Sequence, residues 1–549
     1  MANLTALARR TDSLSAGLHA RLELLGPWTG TSPRSRNGQE LPSCPHGSGR
    51  RALESGFDAV AEAHRWANEV KTGSALIVLG GAGPAVWLAV LERNPSLVLV
   101  VEPRAEVWQN LFTLRDFTDC LSQSHWYAAC ADPDQWLTWI SGRYHPLWDG
   151  SLELHFWRAA TMGEERWERH QEAFARAVGS WSGDFSTQAR FGARWYRNSL
   201  VNLSSLQPLG RGNLRDKLTT APEGCIVAGA GPSLELALAD KKNQTLLAGR
   251  PGNGWLLLST DTALPALLLR GYTPDLVLCL DGQLPSAQHF HSPLPPGLPL
   301  LADLAALPLF HRLGLKVLPF LSGNPLGPVI RRFFPGLPQL DSASGNVSGL
   351  GLVFSAGLGA RKTLLWGADL SYPHGKGYAR GTYPYALQGQ RTNRCSPLET
   401  RLGSACYGAT DLRVVGTEKR YTTPLLREYR ERMMSLSAGL RTNLKVVTTT
   451  GFAPFPSGLG SQLPNFVPFQ GPGDASGFRL HWSERLSNLP RLPKGERMME
   501  FLSRLSHDQQ EDWLALWPLA LAIHRVEGSQ PEWQDRLVER ALEPFKIDL

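Results

Sequence analysis

The chain has 549 residues, 42% of them apolar and 19% charged, with 54 glycines and 40 prolines. That is a globular composition with room for several domains, and it excludes a small disulfide scaffold or a largely disordered chain. Fifty-six basic against 49 acidic residues leave a net charge of +7, an excess suited to anionic small ligands or an arginine-rich surface; with no basic run interleaved with aromatics, it does not call for nucleic acid.

Residues 1–72 read as an N-terminal segment and linker, because Arg34 to Arg50 combine proline, glycine, serine and charge without apolar periodicity. From residue 73 the texture changes. Ala75 to Leu79 is a continuous apolar run, glycines and a helical pattern follow, and Leu97 to Val101 is a second run; this strand, helix, strand order predicts a Rossmann-like parallel-sheet domain over 73–155. The tract Phe156 to Leu203, with Trp157, Trp167, Phe174, Trp181 and Trp195, predicts a helical bridge over 156–204 whose aromatics pack a core.

A second parallel-sheet domain is predicted from Cys225 onward. Its apolar runs are Cys225–Gly229, Trp255–Ser259, Asp275–Leu280, Leu298–Ala302, Lys316–Leu321, Lys362–Trp366 and Leu444–Val447. The polar stretch from Asp369 to about Thr423 is too long for an ordinary connection and is a lid candidate. Pro424 to Leu440 reads as a helix. Residues 461–549 read as a helical C-terminal region with a structural or oligomeric role. The fold class is therefore α/β, two Rossmann-like domains in tandem with helices at the end.

Seven cysteines at irregular spacing without a CxxC pair suggest neither a disulfide framework nor a zinc site. No leader pattern and no uninterrupted apolar span is found, so a cytoplasmic protein without an integral membrane segment is expected.

Two glycine turns carry chemistry. Gly80-Gly-Ala-Gly-Pro-Ala85 follows a strand, and Glu102 ends the next one, the layout that sets a phosphate on a helix N-terminus and a carboxylate on a ribose. Val86 stands where a third glycine would be, and the preferred reading is a tight scaffold turn. Gly229, Gly231, Pro232 and Ser233 form a sharper GxGPS turn whose amides and hydroxyl suit an anion.

In an open parallel sheet, residues at strand C-termini converge on the crevice beside such a turn. Asp261 and Asp281 are so placed and can share one cleft, holding a divalent ion or hydrogen-bonding hydroxyls; the competing readings are an N-cap for Asp261 and turn chemistry for Asp281. Asp275, after Pro274, is a turn residue. Asn346 and Ser348 open a further helix and either bind a polar group or cap it. Asp369 ends another strand, and His374, Lys376, Tyr378 and Arg380 follow Tyr372 in a loop suited to phosphate or a sugar carboxylate, with His374 able to act as acid or base.

The ordered set GAGPSL, STDTAL, PDLVLCLD, GNVSG and WGADLSY…GKGYARGTY resembles the domain shared by the motility accessory factor (Maf) flagellin glycosyltransferases and the MptE-like 6-hydroxymethylpterin diphosphokinases, over about residues 205–460. Leu79-Gly-Gly-Ala-Gly and Val101-Glu-Pro103 resemble the N-terminal domain of the longer Maf proteins. The C-terminal turn Thr448-Thr-Thr-Gly-Phe-Ala-Pro-Phe matches that family only approximately.

The resemblance implies a sialyltransferase-like enzyme that moves a nonulosonic acid from a CMP-activated donor to Ser or Thr of a flagellin-like acceptor. On it Gly229, Gly231, Pro232 and Ser233 match the donor-nucleotide turn, and Asp261, Asp281, Asn346, Ser348 and Asp369 match polar positions lining the cleft; the reading of the residues then sets Asn346 and Ser348 at the nucleotide, Tyr372, Lys376, Tyr378 and Arg380 at the sugar and phosphate, and Asp261, Asp281, Asp369 and His374 at the chemistry. The CMP-sugar is then a co-substrate, no cofactor is assigned with certainty, and magnesium and a homo-oligomer both stay open. Two alternatives remain: magnesium-dependent pyrophosphoryl transfer from ATP to a pterin alcohol, and a non-catalytic nucleotide-binding scaffold.

Overall fold

The computed structural model describes residues 2–46, 48–146, 148–158, 165–204, 221–250, 252–340, 344–408, 412–414, 420–439, 443–447, 475–493, 496, 498–527 and 532–546. The approximate family turn at 448–455 lies outside the described residues. Two compact units are present: Met1–Thr187 with Arg491–Ser506, and Gln188–Pro490 with His507–Leu549.

In the first unit, helices Ala2–Ala8 and Ser13–Leu25 bury Leu7, Leu14, Leu18 and Leu22. The stretch expected as a linker contains a hairpin, β1 (Ser43–His46) against β2 (Gly49–Ala52). Its apolar content is one residue deep, which is why no strand pattern is legible: Cys44 is fully buried while its neighbours are held by polar bonds, Ser43 N–H to Asn110 Oδ1 at 2.7 Å and Arg50 to the Ser43 carbonyl at 2.7 Å. The sheet is four parallel strands, β3 (Ala75–Leu79), β4 (Leu97–Val101), β5 (Trp126–Ala129) and β6 (Leu152–Phe156), in the order β5-β4-β3-β6. β3 and β4 are buried along their whole length, as an apolar run covered on both faces must be. Trp157 and Trp167 lie in this core.

The second unit holds seven parallel strands: β7 (Gly224–Ala228), β8 (Trp255–Thr260), β9 (Leu276–Cys279), β10 (Pro299–Asp303), β11 (Lys316–Phe320), β12 (Lys362–Trp366) and, after the insertion described next, the edge strand Asn443–Val447. In the polar stretch after β12, a small antiparallel sheet is built from β13 (Tyr372–Pro373), β14 (Arg413–Val414) and β15 (Arg420–Thr422), so that Asn443–Val447 is β16. The main order is β11-β10-β9-β8-β7-β12-β16. The chain runs outward from β7 to β11 and then returns to the other side of β7, so the direction of winding reverses between β7 and β12. Ligands of doubly wound sheets bind at such a switch point, outside the strand C-termini. The two Rossmann-like parallel-sheet domains and the C-terminal helices, Ala475–Ser487, Met498–Arg504, His507–Glu527 and Trp533–Lys546, are the α/β architecture that the apolar runs predict.

The long helix Glu165–Ser204 ends by organising the switch-point edge. Asn198 donates its amide to the Gly282 and Ala305 carbonyls at 3.2 and 3.1 Å, and Asn202 donates to Leu304 and Ala306 at 2.8 and 2.9 Å. These are the loops that leave β9 and β10. Removing a buried donor leaves two carbonyls unsatisfied, at about 1–3 kcal/mol each group. Asn198→Ala is therefore expected to lower unfolding stability by at least about 1 kcal/mol in urea melts, whereas an exposed residue of the same helix, Glu172→Ala, stays within about 0.5 kcal/mol of wild type.

Candidate functional site

At the switch point the two turns leaving β7 and β12 are pressed together. Gly229 donates to the Trp366 carbonyl and Gly231 to the Gly367 carbonyl, both at 2.7 Å. Gly367 has φ +64°, and a Cβ there would collide with the Gly229 carbonyl. A Cβ on Gly229 would come within 2.7 Å of the Gly367 carbonyl and 2.9 Å of Ser348 Oγ. Glycine is thus required for close backbone approach, and at Gly367 also for the left-handed conformation.

The first anion at this turn is internal. Asp369, buried at 3% exposure, accepts the Ser233 amide at 2.9 Å, at the start of helix Ser233–Ala239. Ser233 is wholly buried, and its hydroxyl has no hydrogen-bond partner among the described residues. Pro232 sets the entry to the helix. Asn346 caps helix Val347–Gly357: its Oδ1 accepts from Gly349 N–H at 2.9 Å and its Nδ2 donates to the Ser344 carbonyl at 3.1 Å. Ser348, two residues on, is the member of the GNVSG motif that faces the glycine turn.

The end of β8 supplies the densest chemistry. Asp261 is buried, and its Oδ1 accepts from the Thr262 amide at 2.7 Å and the Thr262 hydroxyl at 3.1 Å. The same hydroxyl lies 3.4 Å from His289 Nε2, and the His289 ring meets Tyr383 edge-on with centroids 6.1 Å apart. His289 Nδ1 is buried without a partner among the described residues. Burial pushes the Asp261 carboxyl above the ordinary carboxylate range, with the charge of His289 and the Thr262 donors pulling it part of the way back. The N-cap role at this turn falls to Thr260, whose hydroxyl accepts from Ala263 N–H. That leaves Asp261 facing His289.

Asp281 turns on itself, accepting from Gln283 N–H at 2.8 Å. Cys279 stands between the two acids: it shares a hydrogen bond with Asp261, and burial followed by Asp261 pushes its thiol well up. Asp275 is a structural residue, accepting from the Leu257 amide at 2.8 Å and paired with Arg250 at 3.3 Å. Asp303, which ends β10, is a further buried strand-end acid whose carboxyl is raised by burial.

The 372–383 loop is docked at the same edge. Ala379 N–H donates to the Ala230 carbonyl at 2.8 Å, and Glu235 holds both the Lys376 ammonium and, at 2.5 Å, the Arg380 amide. Burial works to raise Glu235, but these partners keep its carboxyl below the ordinary range. The Lys376 charge is thereby neutralised, while the Arg380 side chain is exposed. Tyr372 sits in β13 opposite Tyr421. The Tyr378 phenol is raised by desolvation, with Cys406 and Asp261 adding to it. His374 is exposed at φ +51°, and no hydrogen bond joins it to the cluster among the described residues. The structure therefore joins Gly229, Gly231, Ser233, Ser348 and Asp369 in one knot and Asp261 with His289, Thr262 and Tyr383 in another.

His289 and Tyr383 were not legible as site residues. His289 lies in the 3₁₀ stretch Leu284–Phe290 rather than at a strand end, and its only sequence signal is a histidine shortly after the strand that carries Asp281. Among the described residues no group of three or more His, Cys, Asp or Glu is arranged to hold a metal.

The first glycine turn is filled by its own chain. Glu102 is fully buried in a two-pronged pair with Arg104, at 2.8 and 3.0 Å, and a Cβ on Gly83 would strike the Glu54 carboxylate. None of the seven cysteines forms a disulfide, and Cys395 alone is exposed. No helix among the described residues is long and apolar enough to cross a membrane.

No family model matches the chain. Three uncharacterized proteins of Treponema pallidum (strain Nichols) are similar to parts of it: 33% identity over 121 residues, 30% over 147 and 31% over 225, covering 22%, 26% and 40% of this chain. The chain spans 42%, 64% and 45% of their respective lengths. Among solved structures, a MAf glycosyltransferase from Magnetospirillum magneticum AMB-1 shares the fold, with TM-score 0.58 at 13% identity over 99% of this chain and 94% of that one.

Two outcomes are expected. Gly367→Ala combines a left-handed penalty of about 1–2 kcal/mol with overpacking of about 1–3 kcal/mol, and is expected to lose at least about 2 kcal/mol in urea melts. For Asp261 the folded carboxyl lies above its unfolded value, so stability is fullest below that unfolded value and falls as pH rises through the folded one. Asp261→Asn keeps the acceptor oxygen and cannot ionise, so its melting temperature relative to wild type should climb from pH 4 to pH 8; a pH-independent difference would remove burial as the cause.

Proposed function

We propose that the protein is a glycosyltransferase that moves a nonulosonic, sialic-acid-like sugar from a CMP-activated donor to a Ser or Thr hydroxyl of a flagellin-like protein. The observation that carries the reading is the Asp261, Thr262 and His289 cluster, set at the C-terminal edge of the sheet beside the switch-point turn. Support comes also from the fold shared across nearly the whole chain with a MAf glycosyltransferase.

On this reading the nucleotide lies across the ends of β7 and β12. The Ser233 hydroxyl, buried and without an internal partner, is the group left to receive a phosphate oxygen, and the Arg380 guanidinium is the exposed cation of the docked loop. The acceptor hydroxyl oxygen bonds to the anomeric carbon as the bond from that carbon to the CMP phosphate oxygen breaks. CMP departs with the electron pair, and the hydroxyl proton passes to the His289 imidazole. Asp261 stabilises the imidazolium through its charge, with Thr262 between them, and Tyr383 holds the ring's orientation. His374, exposed and outside the cluster, takes no part in the proton transfer.

The test is thermal shift of the purified full chain with CMP, CDP, UDP and ATP, each with and without magnesium. A ligand that binds only the folded state raises apparent stability. CMP is expected to give the largest shift, reduced by Ser233→Ala. With a CMP-activated nonulosonate and a flagellin substrate, His289→Gln should slow transfer by about 10²–10⁴-fold while leaving the CMP shift in place. Magnesium-dependent ATP selectivity would replace this reading with pyrophosphoryl transfer, and no response to any nucleotide would leave a scaffold.

A further inference from the structure

Away from the switch point, the second unit carries a groove of about 550 Å³ between the later part of helix Glu165–Ser204 and helices His507–Glu527 and Trp533–Lys546. Its floor is apolar: Leu519, Ala522 and Ile523, buried at the base. Its rim is cationic, with Arg190, Arg197, Arg525 and Arg540 against a single acid, Glu543.

Among the described residues only one of the four cations is neutralised. Arg540 pairs with Glu543 at 3.1 Å. Arg190 lies over the Phe191 ring at 5.3 Å, and neither it nor Arg197 nor Arg525 has a carboxylate partner among the described residues. Three unpaired guanidiniums facing one groove repel one another in the free chain, so an anionic occupant is favoured by electrostatics as well as by contact.

The groove is held in shape. Gly192 packs so closely on the Pro518 carbonyl that a Cβ there would collide with it. The Tyr196 hydroxyl donates to the Ala541 carbonyl at 3.1 Å and accepts from Trp482 Nε1 at 2.9 Å, which ties three helices together on one wall. A preformed surface loses little conformational freedom on binding. From Ala189 to Arg197 the wall is about 12 Å long at a helical rise of 1.5 Å per residue, the length of two to three turns of a partner helix.

We propose that this groove docks an acidic amphipathic helix of a partner protein. Apolar side chains at helical spacing pack on Leu519, Ala522 and Ile523, and carboxylates on the flanks meet Arg190, Arg197 and Arg525. The inference does not depend on the transferase reading, because none of these residues belongs to the switch-point cluster.

The test is fluorescence anisotropy of the full chain with a labelled synthetic helix of leucine and glutamate, leucines at the i, i+3, i+4, i+7 positions. Saturable binding is expected, weakened by rising salt and by tenfold or more in the double variant Arg197→Glu, Arg525→Glu, with a lysine-for-glutamate peptide not bound. Should the double variant melt early, Arg197→Gln with Arg525→Gln should give a smaller loss in the same direction. Equal binding by the charge-reversed variant, or equal binding of the lysine peptide, overturns the proposal. So does binding of phosphatidylserine vesicles without binding of the peptide, or light scattering that shows a dimer which the double variant dissolves.

Discussion

The site depends on one steric constraint, the contact of the Gly229 and Gly367 backbones where the sheet reverses its winding. Adjacent parallel strands bring their outgoing turns to the same edge, and here the turns cross close enough that each forbids a side chain on the other. The hydrogen bonds from Gly229 and Gly231 to the β12 turn, and from Ser233 to Asp369, follow from that approach. Once the turns are locked, the loop after Asp369 has a fixed starting direction. Ala379 can then return to Ala230, and Tyr383 arrives beside His289.

The same constraint divides the acids by role. Asp369 accepts the Ser233 amide and so ties its carboxyl to the backbone of the glycine turn. Asp281 serves its own turn. Asp261 is buried with its carboxyl raised and a histidine within one hydroxyl of it. A carboxylate and an imidazole bridged in this way are the pair on which the proposed transfer draws.

Strands were readable where they are short apolar runs, of which β3, β4, β7 and β9 are buried along their whole length, and seven in the second unit fall where Cys225, Trp255, Leu276, Leu300, Lys316, Lys362 and Leu444 mark them. Glycine, proline and strand-end acids likewise mark the crevice edge, since turn chemistry is local. What is not local was not readable. Ser233 and Asp369 are 136 residues apart, and no spacing rule links them. His289 sits on a short 3₁₀ segment without periodicity, and Glu235, the partner of Lys376, looks like an ordinary first-turn helix acid. The β1–β2 hairpin was hidden for a different reason: polar bonds from Asn110 and Arg50 hold it, and these leave no alternating pattern.

The two glycine turns show how one grammar reaches two ends. Each follows a buried central strand at a point where the sheet reverses, and each has an acid at the end of the neighbouring strand. In the first unit that acid, Glu102, is fully neutralised by Arg104, and the Glu54 carboxylate closes the turn at Gly83. An added anion would meet a carboxylate there, and an added ribose would have to displace a buried two-pronged ion pair, a loss of several kcal/mol by the cost of breaking such pairs, about 3–5 kcal/mol. In the second unit the internal carboxylate occupies one amide and leaves the buried Ser233 hydroxyl without a partner among the described residues, while the neighbouring acid faces an imidazole instead of a guanidinium. An arginine keeps its proton and can only hold a partner, whereas a histidine can exchange one near neutral pH. The two turns thus differ in partner: in the first unit a guanidinium that can only hold Glu102, and in the second an imidazole beside Asp261 whose other ring nitrogen has no partner among the described residues.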